Sequence, residues 1–265
     1  MRKNITVLIA SILFLIGCST VPLTNRHQIK FIPSGTMTSM SFQQYDAFLK
    51  QNQVVKTGRD ADMVRRVGGR IQKAVEQYFK DAGKPNYLKN YRWEFNLVKS
   101  NQVNAWCMPG GKVVVYTGLL PVAKDETGLA VVLGHEIAHA IADHGNERMS
   151  QQLLAKMGGM ALSEAMKSKP QQTQKMWMGA FGAGAQYGVL LPFSRTQESE
   201  ADHLGLIFMS MAGYNPQKAI NFWERMANMG GKKPPEFMST HPSDQHRIEA
   251  LKKIMPEAMK YYKKK

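Results

Sequence analysis

The chain has 265 residues, 43% of them hydrophobic and 21% charged, and it carries a formal charge of +15. That is enough apolar residue for a core of its own, which excludes a disordered tail or a small disulfide scaffold. The excess of Lys and Arg suits anionic envelope surfaces or acidic substrates; its scattered placement argues against a nucleic-acid partner.

Met1, Arg2 and Lys3 precede an apolar run from Ile5 to Ile16, the charged start and greasy middle of a secretory signal. The run is too short for an ordinary spanning helix, which needs about 20 residues. Leu15-Ile16-Gly17-Cys18 resembles the bacterial lipobox, so residues 1–17 are expected to be cleaved and Cys18 acylated. Ser19 follows Cys18, and in the familiar Gram-negative sorting rule this resemblance implies the periplasmic face of the outer membrane. Only Cys107 then remains, so stability must come from packing rather than an internal disulfide. Cys107 itself reads as a small buried hydrophobe.

Residues 18–59, polar and punctuated by Pro22, Pro33 and Gly35, read as a lipid-anchored tether and N-terminal segment, and 60–265 as one catalytic domain. Met63, Val64, Val67, Ile71, Ala74 and Val75 recur at helical spacing over 60–80. Residues 92–117, with Trp93, Phe95, Leu97 and then Val113, Val114, Val115 and Tyr116 around Pro109-Gly110-Gly111, predict a small antiparallel sheet. Helices are expected at about 125–144, 147–168, 171–188, 196–212, 215–228 and 243–262, the last capped by Ser243. The Met-, Gly- and Ala-rich stretch 157–193 reads as a tightly packed helix near the active site, in preference to a membrane-touching lid. The fold class is therefore α+β and predominantly helical.

The chemistry is concentrated in His135-Glu136-Ile137-Ala138-His139. Four residues turn a helix by about 400°, so both imidazoles face one point and Glu136 flanks it. Seven histidines and 20 acidic residues in 265 positions would produce roughly 0.01 such matches by chance. A pair of merely structural histidines in so apolar a helix would be costly to bury unpaired. A catalytic zinc takes three protein ligands and leaves one position open, so a third ligand is required. His144 is near, but Ala142 and Gly145 occupy the positions where the long metzincin motif needs Gly and His; His144 reads as a surface or supporting residue. Glu198 and Asp202, one helical turn apart, suit better: Glu198 as ligand, Asp202 as acceptor of a ligand histidine's second N–H, with Glu200 turned away.

Taken with Asn104-Ala105, Met108-Pro109-Gly110-Gly111-Lys112, Thr117-Gly118-Leu119-Leu120 and His241-Pro242, these motifs resemble those of the HtpX-like and CAAX-prenyl-protease-like zinc metallopeptidases (metallopeptidase family 48), especially their soluble lipoprotein members akin to the Oma-type enzyme. The resemblance covers most of the mature chain. It implies a zincin (gluzincin) domain binding one zinc through His135, His139 and Glu198, with Glu136 catalytic and the strand Val113, Val114, Val115, Tyr116 pairing with extended substrate. The multi-spanning relatives' membrane helices are missing here, which makes unfolded or misassembled envelope proteins the expected substrates. His241 and Arg247 are candidates to stabilise the oxyanion; in some relatives the counterpart of His241 caps the zinc as an inhibitory ligand. The expected function is a zinc metalloendopeptidase of envelope quality control, the alternative a zinc-containing assembly factor or chaperone with latent proteolysis.

Overall fold

A computed structural model of the chain describes residues 18–229, 237–238, 241 and 245–263. The expected signal segment 1–17 and the Ser243 cap lie outside the described residues. The chain divides into two compact units, one comprising residues up to 34 and 143–197, the other 35–142 and 198–265.

The larger unit is built on a four-stranded sheet and the helices packed around it. Its elements in chain order are α1 (Ser34–Gln51), β3 (Val54–Val55), α2 (Arg59–Asp81), β4 (Glu94–Val98), β5 (Ala105–Met108), β6 (Lys112–Tyr116), a short α3 (Leu120–Ala123) and α4 (Glu126–Ile141). They continue with the C-terminal part of α7 (Leu191–Met211), then α8 (Lys218–Asn228) and α9 (Gln245–Tyr261). The expected antiparallel sheet is present in the order β3-β4-β6-β5, with one parallel pairing, β4 with β6. Val113, Val114 and Val115 of the central β6 are fully buried, as suits an all-apolar strand covered on both faces.

α1 was hidden in the polar 18–59 stretch. Its buried residues are Met37, Ser41 and Tyr45, a stripe at i, i+4, i+8 whose middle member is a serine, so the apolar period is interrupted where it should be strongest. α2 shows the opposite case, with Val64, Val67, Ile71, Ala74, Val75 and Phe79 all buried on one face.

α4 carries the histidine motif and is buried from Gly128 to Ile141. Asp125 caps it, its side chain accepting from Gly128 N at 2.8 Å, which satisfies one of the orphan donors of the first turn. At the other end Tyr91 Oη donates to Ala140 O and Tyr87 Oη to Ile141 O, each at 2.9 Å, so the terminal carbonyls are satisfied as well. α4 packs on β5, α2 and α8. It meets α7 backbone to backbone: a Cβ on Gly134 would sit 2.8 Å from Gly205 O, and one on Gly205 2.8 Å from His135 N. Two glycines therefore let the helices approach closely at the residue before the first histidine.

The smaller unit holds a two-stranded ribbon, β1 (Cys18–Thr20) with β2 (His27–Ile29), then α5 (His144–Met166), α6 (Gln171–Ala185), a π-turn (Gln186–Leu190) and the start of α7. Residues 18–59, expected as a tether and N-terminal segment, form a ribbon, a helix and a short strand. The first turns of α5 are anchored to the ribbon segment. Arg26 donates to both carboxylate oxygens of Glu147 at 2.8 Å, Gln197 Nε2 to Glu147 Oε2 at 2.8 Å, and Asn146 Nδ2 to Ile32 O at 2.7 Å. His144, expected at the surface or in support of the metal, is fully buried in this unit. No helix of the described residues is long and apolar enough to cross a membrane.

Candidate active site

The Gly134–Gly205 crossing sets the geometry. With the backbones in contact, α7 presents Glu198 and Asp202 to the same face of α4 that presents His135 and His139. His135 Nε2 and His139 Nε2 are 3.1 Å apart. Glu198 reaches between them, Oε2 3.4 Å from His135 Nε2 and Oε1 3.3 Å from His139 Nε2. His241 Nδ1 completes the group, 3.1 Å from His135 Nε2 and 2.9 Å from Glu198 Oε2. Among the described residues these four are a cluster that could hold a metal ion, all ligand atoms lying within 4.8 Å of one another.

Those separations test the fit of zinc. At bond lengths of about 2.0–2.1 Å a tetrahedral ion sets its ligand atoms roughly 3.3 Å apart, close to the spacings of the cluster. Two imidazole nitrogens and a carboxylate are also the donor types such a site uses. His241 stands at the fourth corner, where a catalytic site keeps water.

The surroundings orient the ligands. His135 Nδ1–H donates to Asp202 Oδ1 at 2.9 Å, leaving Nε2 for the metal. Arg247 holds Asp202 with two bonds, Nε to Oδ2 at 2.8 Å and Nη2 to Oδ1 at 2.7 Å, while its guanidinium lies 3.4 Å over the Trp223 ring. Arg247, a candidate oxyanion stabiliser, is thus engaged with Asp202 as a bidentate pair. His241 likewise points Nδ1 into the ligand cluster and Nε2 to within 3.4 Å of Glu136 Oε1, a position for a ligand or gate rather than an oxyanion donor.

Taken by themselves, the protein groups polarise one another strongly. Burial opposes charge on His135, but the Asp202 and Glu198 carboxylates outweigh it and lift its pKa to about 9. Burial also works against the Glu198 anion, and hydrogen bonds from His135, His139 and His241 drive its pKa far down nonetheless. Asp202 is lowered too, the Arg247 charge prevailing over burial. Glu136 goes the other way: burial raises its pKa despite the nearby histidines, and its Oε1 has no hydrogen-bond partner. A buried carboxylate oxygen without a hydrogen bond is costly, and here it faces His241 Nε2 of the ligand cluster at 3.4 Å.

The expected substrate strand is corrected. β6 is paired on one side with β4 and on the other with β5, so Val113, Val114, Val115 and Tyr116 have no free backbone edge. Of the two edge strands, β3 and β5, it is β5 that packs on α4. Because Tyr116 N donates to Asn104 O, the alternation of an antiparallel ladder turns the backbone groups of Ala105 and Cys107 away from β6. The Asn104 side chain accepts from Ala105 N at 2.9 Å. Cys107 is near enough to Glu136 for that carboxylate to help burial push its thiol pKa up.

Sequence reading missed Trp223, which supports Arg247, and the Gly134–Gly205 pair. A lone glycine in each of two helices has many uses, and nothing in the spacing of the two joins them.

A helix bearing two histidines and a second bearing a glutamate, converging on one tetrahedral position beside a buried carboxylate, define a zinc metallopeptidase of the gluzincin type. Residues 66–255 match Peptidase family M48. The chain is 30% identical to the mitochondrial metalloendopeptidase OMA1 of Saccharomyces cerevisiae over 98% of its own length and 76% of that protein's. It is 36% identical to OMA1 of Schizosaccharomyces pombe over 64% of its length and 49% of the relative's. A 34% identity to the beta-barrel assembly-enhancing protease of Yersinia pestis covers 59% of the chain and 33% of that protein. The chain belongs to peptidase family M48 and is a zinc metalloendopeptidase. It spans about half or less of the last two relatives.

Proposed function

We propose that this metalloendopeptidase is a lipid-anchored envelope enzyme that cleaves unfolded or misassembled envelope proteins at the periplasmic face of the outer membrane. The address is supported by the lipobox-like Leu15-Ile16-Gly17-Cys18 and by likeness to a relative named a beta-barrel assembly-enhancing protease. The substrate class is supported by an open strand edge, which takes main-chain bonds from any extended peptide and demands little of its side chains.

The observation that carries the reading is the buried Glu136 beside the ligand tetrahedron, its Oε1 without a hydrogen bond among the described residues and 3.4 Å from His241 Nε2. Zinc, when bound, supplies a Lewis acid and a water acidified to a pKa of about 7. Glu136 is the group placed to accept the proton of the attacking water and return it to the leaving amine. His135 and His139 hold ligand positions on one rigid helix, Glu198 bridges them, and Asp202, itself held by Arg247, keeps His135 in the tautomer that presents Nε2. Extended substrate pairs with the outward groups of β5 at Cys107, which brings a peptide carbonyl along α4 towards Glu136.

His241 at the fourth corner favours a second reading, a latent enzyme in which proteolysis waits on its departure and the chain otherwise acts in assembly. Cleavage of an unfolded protein by zinc-loaded chain, compared with Glu136→Gln and His241→Ala, separates the two. The endopeptidase reading expects cleavage that Glu136→Gln lowers at least about 10³-fold with zinc retained. If only His241→Ala cleaves, the chain is latent; if nothing distinguishes the chain from Glu136→Gln, the proposed function is wrong.

A further inference from the structure

From residue 152 to residue 196, across α5, α6, the π-turn and the start of α7, no residue is buried. This overturns the expectation of a tightly packed helix over 157–193. α6 has no buried residue at all, and Leu153, Leu154, Met157, Met160, Met176 and Trp177 stand exposed, Met176 at 62% and Trp177 at 50%. Tyr187, at 72%, continues the surface past the hairpin. So many exposed large apolar side chains on one hairpin point to a docking face. Where α5 and α6 meet the π-turn, the start of α7 and the β2 ribbon, an apolar cavity of about 700 Å³ opens, walled by Ile29, Leu154, Phe181, Val189 and Phe193.

Two observations name the partner. The charge around the apolar residues is one-sided: Lys156, Lys167, Lys169 and Lys175 are all exposed, against a single exposed acid, Glu164, which pairs with Lys167. Second, this unit contains Cys18, the first residue of β1 and the residue that the lipobox-like motif marks for acylation, so the inference rests in part on the proposed lipid anchor. Apolar side chains with Trp and Tyr among them, rimmed by lysines and in the same unit as the proposed acylation site, match the interfacial layer of an anionic bilayer.

We propose that the α5–α6 hairpin is a second, non-covalent membrane contact, inserting Met176, Trp177 and their apolar neighbours among the acyl chains of an anionic bilayer. The lysines lie at the headgroups, and the cavity admits an acyl chain. The contact is additional to whatever the N-terminus does, so the test reads the hairpin itself. Full chain is added to phosphatidylglycerol-containing vesicles whose acyl chains carry bromine, which quenches tryptophan only within the hydrocarbon. The share of emission removed by Trp177→Phe is expected to vanish on brominated vesicles and to persist on unbrominated ones. Quenching should weaken on pure phosphatidylcholine, and Met160→Glu with Met176→Glu should abolish it while soluble-peptide cleavage continues. Unquenched Trp177 emission overturns the proposal, as does quenching that survives both glutamates. Cross-linking between hairpins of two copies in place of quenching would make this a protein interface and overturn it equally.

Discussion

α4 and α6 are written in nearly the same alphabet, Gly, Ala and large apolar residues, yet one is buried from Gly128 to Ile141 and the other has no buried residue. Their glycines make the difference concrete. A Cβ on Gly134 would run into the backbone of a crossing helix, whereas around Gly179, Gly182 and Gly184 nothing lies within 4 Å of where one would be. In α4 small residues serve contact between two backbones; in α6 Gly179, Gly182 and Gly184 lie where, among the described residues, nothing comes within 4 Å of an added Cβ. Composition alone reports that a helix is apolar and small, and the topology decides whether another helix is there to meet it.

The largest expected effect breaks the buried side of this comparison. Gly205→Ala must displace the backbone at Gly134 and His135, since the added carbon would lie 2.8–3.0 Å from their atoms. Overpacking of this kind costs about 1–3 kcal/mol. A shift of about 1 Å in Glu198 or Asp202 lowers activity roughly 100-fold. Kinetics and zinc stoichiometry on the purified variant check this; wild-type values in both would show that the close crossing does not place the site.

A step smaller, Asp202→Asn removes the anion that both orients His135 and receives Arg247. Zinc affinity is expected to fall about 10–100-fold, measured by competition with a chelator, with the fold retained because Trp223 still supports the guanidinium. Unchanged affinity would mean that His135 is oriented by packing alone.

Acidity gives the third test. Burial raises the Glu136 pKa, and the reaction needs the carboxylate, so kcat/KM should be lost as pH falls through a value above the ordinary 4.5 for Glu. Stability runs with the opposite sign: a raised pKa contributes stability below the unfolded value, and this is lost as pH rises through the folded one. An acid limb at or below the ordinary value would show Glu136 to be solvated in the working enzyme.

How much could be read beforehand follows from the same contrast. His135, His139, Glu198 and Asp202 were legible because one-turn spacing on a helix fixes which side chains share a face. α2 was legible from its uninterrupted stripe. The edge strand was not, because the all-valine run of β6 advertises a strand without telling how many neighbours it has, while β5, with Trp106 and Cys107, looks less like one. The pairing of Arg247 with Asp202 was not legible, because the two lie 45 residues apart and are brought together only by tertiary structure. The 157–193 segment was misread because apolar character predicts burial only where a partner exists.

The smallest predicted effect is the most direct probe of the exposed side. Gly182 sits inside α6 with no positive φ and nothing within 4 Å of its would-be Cβ, so Gly182→Ala meets no steric cost. Alanine removes backbone freedom from the unfolded chain, and in a helix interior the exchange stabilises by about 0.5–1 kcal/mol. That gain should be local, appearing as slower amide exchange across α6 while the α4 amides are unaffected. The opposite sign would carry more information: a variant with faster exchange in α6 must have lost a close contact at that glycine. The helix would then pack against a protein surface in the way α4 packs against α7, and the difference between the two helices would reduce to which neighbour each one meets.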